Sequence, residues 1–343
     1  MLRTAKIAAL VLADSLGLNA IFLRSRWRRE RLLILCYHGI SLDDEHQWDP
    51  SLYMPPALLR ARLQELRDRG CTVLPLAEAL TRLDEGTLPR AAVAITFDDG
   101  GYDFYKAAWP VLREFDYPAT VYLTTYYSEY NKPVFDPMAS YLLWKGRGQV
   151  LELKEASLGP IMLDDQSRER AFRQLLAWAQ DKPLSGPEKD ALLARLAAAL
   201  GVEYAELCRR RLLHIMTPAE AAKLAAQGLD LQLHTHRHFI SRERGRFVQE
   251  IDDNLLRLRQ ISAVPPRHYC YPMGAFYPEF PGWLRELGIE SATTCRPGIA
   301  DRHMDRLLLP RLVDTSDLTG YEFRAWLSGL ASLLPHRQYM IEA

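Results

Sequence analysis

Ala91-Ala92-Val93-Ala94-Ile95-Thr96-Phe97-Asp98-Asp99-Gly100-Gly101 is the stretch that decides the fold. Its first seven residues form an unbroken, mostly apolar run, the composition of a strand covered on both faces, and such strands belong to parallel sheets flanked by helices. The run passes directly into two carboxylates and two glycines. Functional groups in parallel α/β folds collect at the carboxyl ends of strands, so the stretch points to an architecture and to the face where chemistry occurs. Asp43-Asp44, Asp164-Asp165 and Asp252-Asp253 repeat the acidic pair, but none follows such a strand.

The same rhythm extends in both directions. Arg31–Gly39 reads as a buried strand ending at Tyr37-His38-Gly39, Pro55–Gly70 as an amphipathic helix, Cys71–Leu74 as a short strand and Leu76–Leu83 as a helix. Downstream come a helix at Tyr105–Phe115 and a strand at Ala119–Leu123. Residues 126–215 break the pattern. They are aromatic at first and then helical from Gln166 to Arg211, and they read as an α-helical insertion in a barrel spanning 32–343. Thr217-Pro218-Ala219-Glu220 restarts the α/β pattern with a capping box. Strands at Leu229–Leu233, Tyr269–Tyr271, Ser291–Thr294 and Leu307–Leu312 follow, with helices through Ile251–Leu258 and Trp283–Leu287. Strands alternating with helices predict βα units around a parallel sheet or barrel.

The 343 residues suit one large α/β barrel or two average domains, and 48% hydrophobic with 25% charged residues excludes a disordered or fibrous chain. Lys plus Arg equals Asp plus Glu at 43 each, which leaves no net field to attract nucleic acid. Cys36, Cys71, Cys208, Cys270 and Cys295 are scattered and lack CxxC spacing, so neither a disulfide framework nor a structural zinc knuckle is expected. That usage favours a cytoplasmic chain, or one peripheral on the inner membrane, with the periplasmic side left open. Residues 1–31 form an apolar and then arginine-rich helix, and Asp14, Ser15 and Asn19 make it too polar to span a bilayer. It reads either as an interfacial anchor or as a first helix packed on the barrel.

Metal-type residues follow two strands. Asp98 and Asp99 end one; His234, His236 and His238 end the other, three histidines in five residues. Two histidines and one carboxylate make a three-ligand site with an open position, the arrangement of a catalytic zinc, and a second carboxylate beside it suits removal of a proton from water. His236 is read as a supporting residue behind the ligands.

Thr96-Phe97-Asp98-Asp99-Gly100 and His234-Thr235-x-x-His238 resemble the first two motifs of the NodB-homology polysaccharide deacetylases, carbohydrate esterase family four. Tyr269-Cys270-Tyr271-Pro272-Met273-Gly274 is similar to the third, with Cys270 where the family carries arginine. The Tyr37-His38 pair resembles the start of the circularly permuted poly-N-acetylglucosamine deacetylases. The resemblance implies a distorted (β/α) barrel and metal-dependent removal of N-acetyl groups from N-acetylhexosamine units of a polysaccharide, oligosaccharide or lipid-linked glycan. It implies one divalent ion, zinc or else nickel, cobalt or iron, on Asp99, His234 and His238. By the same carry-over, Asp98 is the base, His38 the acid that protonates the leaving amine, and the Met273 N–H an oxyanion donor. Tyr271, Pro272 and Arg311 are expected to contact substrate, with Arg311 also a candidate charge partner for Asp98. Deformylation of a lipid-linked amino sugar would use the same site. The missing arginine and the absent Asp-x-x-Asp-Trp motif leave an inactive carbohydrate-binding barrel as the rival. Leu212-Leu213-His214 and Leu334-Pro335-His336 match the family's Leu-x-His by chance, and Cys36 lacks the strand–turn–helix elbow of a nucleophile.

Overall fold

The structure, a computed structural model, describes residues 2–156, 158–182 and 184–334. His336 therefore lies outside the described residues. The strands that build the sheet are β1 (Leu33–Tyr37), β2 (Thr72–Val73), β3 (Ala92–Phe97), β4 (Thr120–Leu123), β5 (Asp230–Leu233), β6 (His268–Cys270), β7 (Ser291–Thr293) and β8 (Leu312–Val313). Their order is β7-β6-β5-β4-β3-β1-β8, with the short β2 also paired to β3, and every pairing is parallel. The chain around β8 joins the two edges. Leu309 exchanges hydrogen bonds with Ala292 and Thr294 beside β7, while Leu312 and Val313 pair with Leu35 and Cys36 of β1. The sheet thus curls into a distorted (β/α) barrel, and β1 and β3 are buried at every position, as their apolar runs require.

Strand alternation divides those residues between two cores. Leu33, Leu35, Val93, Ile95, Val121 and Leu233 face the surrounding helices in the main cluster. Ile34, Ala92, Ala94, Tyr122, Cys270 and Leu309 form a smaller inner cluster, completed by Leu76, Ala79, Leu80 and Leu83 of the helix Leu76–Glu85. Parallel pairing in register places His38, Asp98, His234 and Tyr271 one step past their strands, at the same end of the barrel.

Residues 135–213 have a hydrophobic core of their own, with Met138, Leu142, Leu175, Leu193 and Leu196 among its members. The segment contains helices Phe135–Lys145, Asp165–Asp181, Gly186–Ala199 and Tyr204–Arg209, together with a two-stranded antiparallel sheet, Val150–Leu153 on Leu158–Met162. That sheet departs from the helical expectation. Val150-Leu151-Glu152-Leu153 alternates exposed and buried positions, the period of a strand with one wet face.

The N-terminal segment is three short helices, Leu2–Ser15, Leu18–Arg24 and Arg26–Arg29, where one was expected. Gly17 at φ +72° allows a bend of 77°, and no single described helix is long and apolar enough to cross a membrane. The polar interruptions serve the packing. Asp14 pairs with Arg324 at 2.9 Å, and Asn19 accepts from the Ser328 hydroxyl on the helix Gly320–Ser328. Arg28 is fully buried and donates to the carbonyls of Leu327, Arg31 and Ala92.

Candidate metal centre and active site

Asp99, His234 and His238 converge at the carboxyl end of the barrel, each placing a ligand atom within 4.8 Å of the others. Asp99 Oδ1 lies 3.2 Å from His234 Nε2 and 3.3 Å from His238 Nε2. His234 Nδ1 is 2.9 Å from the Cys270 carbonyl, so it donates there and leaves Nε2 with a free lone pair toward Asp99. Two imidazole nitrogens and one carboxylate oxygen, with one imidazole already oriented by a carbonyl, fit a divalent first-row ion with an open position. The backbone is shaped for this. Asp99 (φ 67°), Thr235 (62°), His238 (55°) and Met273 (58°) all occupy the left-handed region, which non-glycine residues adopt at a cost and which clusters at functional sites.

Asn254 locks the second motif in place. Its amide oxygen accepts from the His234 N–H at 2.9 Å, and its amide nitrogen donates to the Leu123 carbonyl and the Thr125 hydroxyl. His236 faces away from the ligands and bonds Thr125 Oγ1 through Nδ1 at 2.9 Å. Asn254 escaped the sequence reading, although the signal was present: it stands on the buried stripe Phe247, Ile251, Asn254, Leu258 of the helix Arg244–Ile261, where an apolar residue would otherwise fall.

Asp98 sits deeper, 3% exposed, gripped by Arg311 through both oxygens at 2.7 Å. Arg311 is wholly buried inside the barrel, where it also donates to the Thr294 carbonyl and Thr96 Oγ1. It touches Cys270 Sγ at 3.1 Å, and that thiol lies 3.4 Å from Asp98 Oδ2. The small Cys270 side chain leaves room for a guanidinium arriving from the last strand rather than from the third motif. Burial opposes a charge on Asp98, but Arg311 and then His38 outweigh it and hold the carboxyl far below the usual range. His38 stands at the mouth, its Nε2 3.6 Å from Asp98 Oδ2 and its side chain 18% exposed.

Three residues expected to contact substrate are placed elsewhere. Arg311 is enclosed by the barrel and committed to Asp98. Tyr271 is fully buried, donates its hydroxyl to the Leu307 carbonyl at 2.9 Å and packs on Phe276 and Phe280. Pro272 is buried beside it. Strand alternation and aromatic packing, not substrate, account for these positions. Met273 does reach the surface, with a side chain 59% exposed. Cys36, 3.5 Å from Asp98 Oδ2, is kept a neutral thiol, because burial pushes its pKa well above the ordinary value. His214 is buried against the Leu212 carbonyl.

A polysaccharide deacetylase family model matches residues 85–144 and 195–292, on either side of the middle of the insertion. YxkH of Bacillus subtilis, named for polysaccharide deacetylases, is 36% identical over 94 residues, which are 27% of this chain and 32% of that protein. The poly-beta-1,6-N-acetyl-D-glucosamine N-deacetylase of Escherichia coli is 29% identical over 94 residues, covering 14% of its length. This chain therefore matches less than a third of the length of either relative. In three dimensions it resembles a Streptococcus pyogenes deacetylase solved with acetate, with a TM-score of 0.57, 18% identity and coverage of 89% of this chain and 99% of that one. It also resembles IcaB from Ammonifex degensii, with a TM-score of 0.53, 17% identity and coverage of 87% and 97%. These likenesses establish the shared fold. Asp98, Asp99, His234 and His238 all lie at or just past strand ends and inside the two segments that resemble the polysaccharide deacetylase family, which together cover 158 of the 343 residues.

Proposed function

We propose that the protein is a metal-dependent hydrolase that removes N-acetyl groups from N-acetylhexosamine units of a glycan. The observation that carries this reading is the convergence of Asp99, His234 and His238 beside a second carboxylate, Asp98, and a partly exposed imidazole, His38. A divalent ion held by the three ligands supplies Lewis acidity at the scissile carbonyl and makes a nearby water more acidic. Asp98, fixed in one orientation by Arg311, takes a proton from the attacking water at a carboxylate oxygen. His38 Nε2, in its protonated form, delivers a proton to the leaving amine nitrogen as the C–N bond breaks. The Met273 N–H, presented by its left-handed backbone, donates to the carbonyl oxygen as negative charge develops there. The test loads the purified protein with zinc, nickel, cobalt or iron and measures released acid from amino sugars carrying acetyl or formyl groups. Acetate release supports the reading. Formate release alone would move it to deformylation, and retained glycan binding without either product would leave a binding barrel.

Work at a membrane surface is part of the proposal. Leu12 and Ile21 on the first two helices and Leu16 in the turn between them are 60%, 63% and 64% exposed, and the exposed Arg24 and Arg26 follow them. Exposed apolar side chains followed by arginines suit an anionic lipid surface. Leu12→Asp together with Leu16→Asp should release the protein from anionic vesicles in a sedimentation assay; unchanged pelleting would remove the idea. Deleting residues 1–31 would be a poorer test, because it takes the buried Arg28 out of the core.

A further inference from the structure

A cavity of about 290 Å³ lies between the insertion and the loop that follows β1, with Gln47, Trp48, Trp144, Arg168, Glu169 and Phe172 among its walls. Trp48, Trp144 and Phe172 are each half-buried, so the aromatic groups keep a wet side. The indole of Trp48 is held by a hydrogen bond from Nε1 to Ser140 Oγ at 3.2 Å. Tyr141 packs on Trp48 edge-on at 5.6 Å and on Trp144 in a stack at 5.8 Å, making one rigid aromatic array. Arg168 bonds Asp165 through Nη2, while its buried Nε has no partner. An exposed Arg147 guanidinium lies 4.1 Å over the Trp144 ring and donates to the Trp144 carbonyl at 3.0 Å.

The array leads to the catalytic end of the barrel. Trp48 packs on Tyr53 at 5.7 Å between ring centres. The Tyr53 ring in turn presses on Gly39, next to His38, so closely that a Cβ there would fall 2.0 Å from it. Indole faces beside hydrogen-bonding groups that can donate and accept are the surface a pyranose needs, since one face of the ring is lined with C–H and its rim with hydroxyls. The volume falls just below the usual range for small-molecule sites and suits one sugar ring.

We infer that this cavity is a remote sugar subsite, which binds a unit of the same glycan chain some distance from the unit that loses its acetyl group. The inference rests on the deacetylase reading and adds to it a preference for oligomers over single sugars. The insertion supplies seven of the nine lining residues, and four of these, Asp165, Arg168, Glu169 and Phe172, fall in the stretch 145–194, which the family model does not match.

The test uses the full chain and β-1,6-linked N-acetylglucosamine oligomers of one to six units. Trp144→Ala should raise KM for the longest oligomer about tenfold, leaving kcat and the kinetics on the single sugar unchanged. Glu169→Gln should shift KM in the same direction by less, and guards against a Trp144 variant that fails to fold. Tryptophan fluorescence titration with the hexamer reads binding without turnover. Binding that depends on Trp144 but yields no acetate keeps the subsite and defeats the deacetylase reading. Turnover with identical KM for short and long substrates, or equal losses on both in the variants, overturns the subsite.

Discussion

The barrel's carboxyl end and the insertion are built by opposite rules. Around the metal centre, four non-glycine residues hold left-handed backbone, and the Asp98–Arg311 pair has side chains only 2% and 0% exposed. Within residues 135–213, the described non-glycine residues with a positive φ are Arg211 and Leu213, both at the end where the chain returns to the barrel. Two of the insertion's four helices start with complete capping boxes, Asp164 with Ser167 and Ser185 with Glu188, over a core rich in leucine and alanine. One region stores strain and buried charge where a reaction needs fixed groups; the other is locally consistent and presents an aromatic surface. Chemistry and recognition are thereby separated along the chain.

The largest effects belong to the first region. Asp98→Asn should lower kcat by about 10²–10⁴-fold while the protein keeps its metal, as expected when a general base is lost. Metal analysis beside single-turnover kinetics checks this, and full activity would transfer the base to another group. Arg311→Met should cost about 3–5 kcal/mol of stability in urea unfolding, because it leaves the buried Asp98 carboxylate unpaired. Asp98→Asn combined with Arg311→Met should recover part of that loss. Recovery of nothing would mean that Arg311 acts through Thr294 and Thr96 instead.

Much of this contrast was legible in the sequence. Unbroken apolar strands followed by Asp-Asp-Gly and by clustered histidines announced the barrel and the three ligands, since strand-end placement is a local property of the chain. Alternation along β1 and β3 also places Cys36 with His38 and Thr96 with Asp98. Arg311 was a candidate partner for Asp98 only because the third motif lacks its arginine; the pairing spans 213 residues and depends on how the barrel closes, which strand patterning does not encode. Tyr271 and Pro272 were read from a motif, yet the packing of Phe276 and Phe280 turns Tyr271 inward. The Val150–Met162 hairpin was hidden because its strands are short and flanked by strongly helical segments. Asn254 was visible only as a polar gap in an apolar stripe.

Asp103 offers a titration that separates the two regions. Burial, opposed by the hydrogen bond from the Ile40 N–H and reinforced by the Glu45 charge, raises its pKa to about 7. A carboxyl whose pKa is raised in the folded state keeps its proton after the unfolded chain has lost its own. The unfolded state then binds fewer protons, so this group's contribution to stability falls as pH rises from about 4 to about 7. Stability measured at pH 5 and pH 7.5 should therefore decline less in Asp103→Asn than in the unmodified protein. Equal slopes would show that the carboxyl is already ionised in the fold.

The smallest effect is the sharpest check on the comparison. Lys132 and Asp190 form an ion pair at 3.2 Å at the edge of the insertion, with side chains 44% and 21% exposed. The contact is of the same chemical kind as Asp98–Arg311, but water screens it and both partners stay solvated when it breaks. Lys132→Met should therefore cost less than about 1 kcal/mol in urea unfolding and leave kcat untouched. A loss near that of Arg311→Met would mean that the insertion, too, depends on charges held out of water. Its separation from the chemistry of the barrel would then be one of sequence position rather than of physical design.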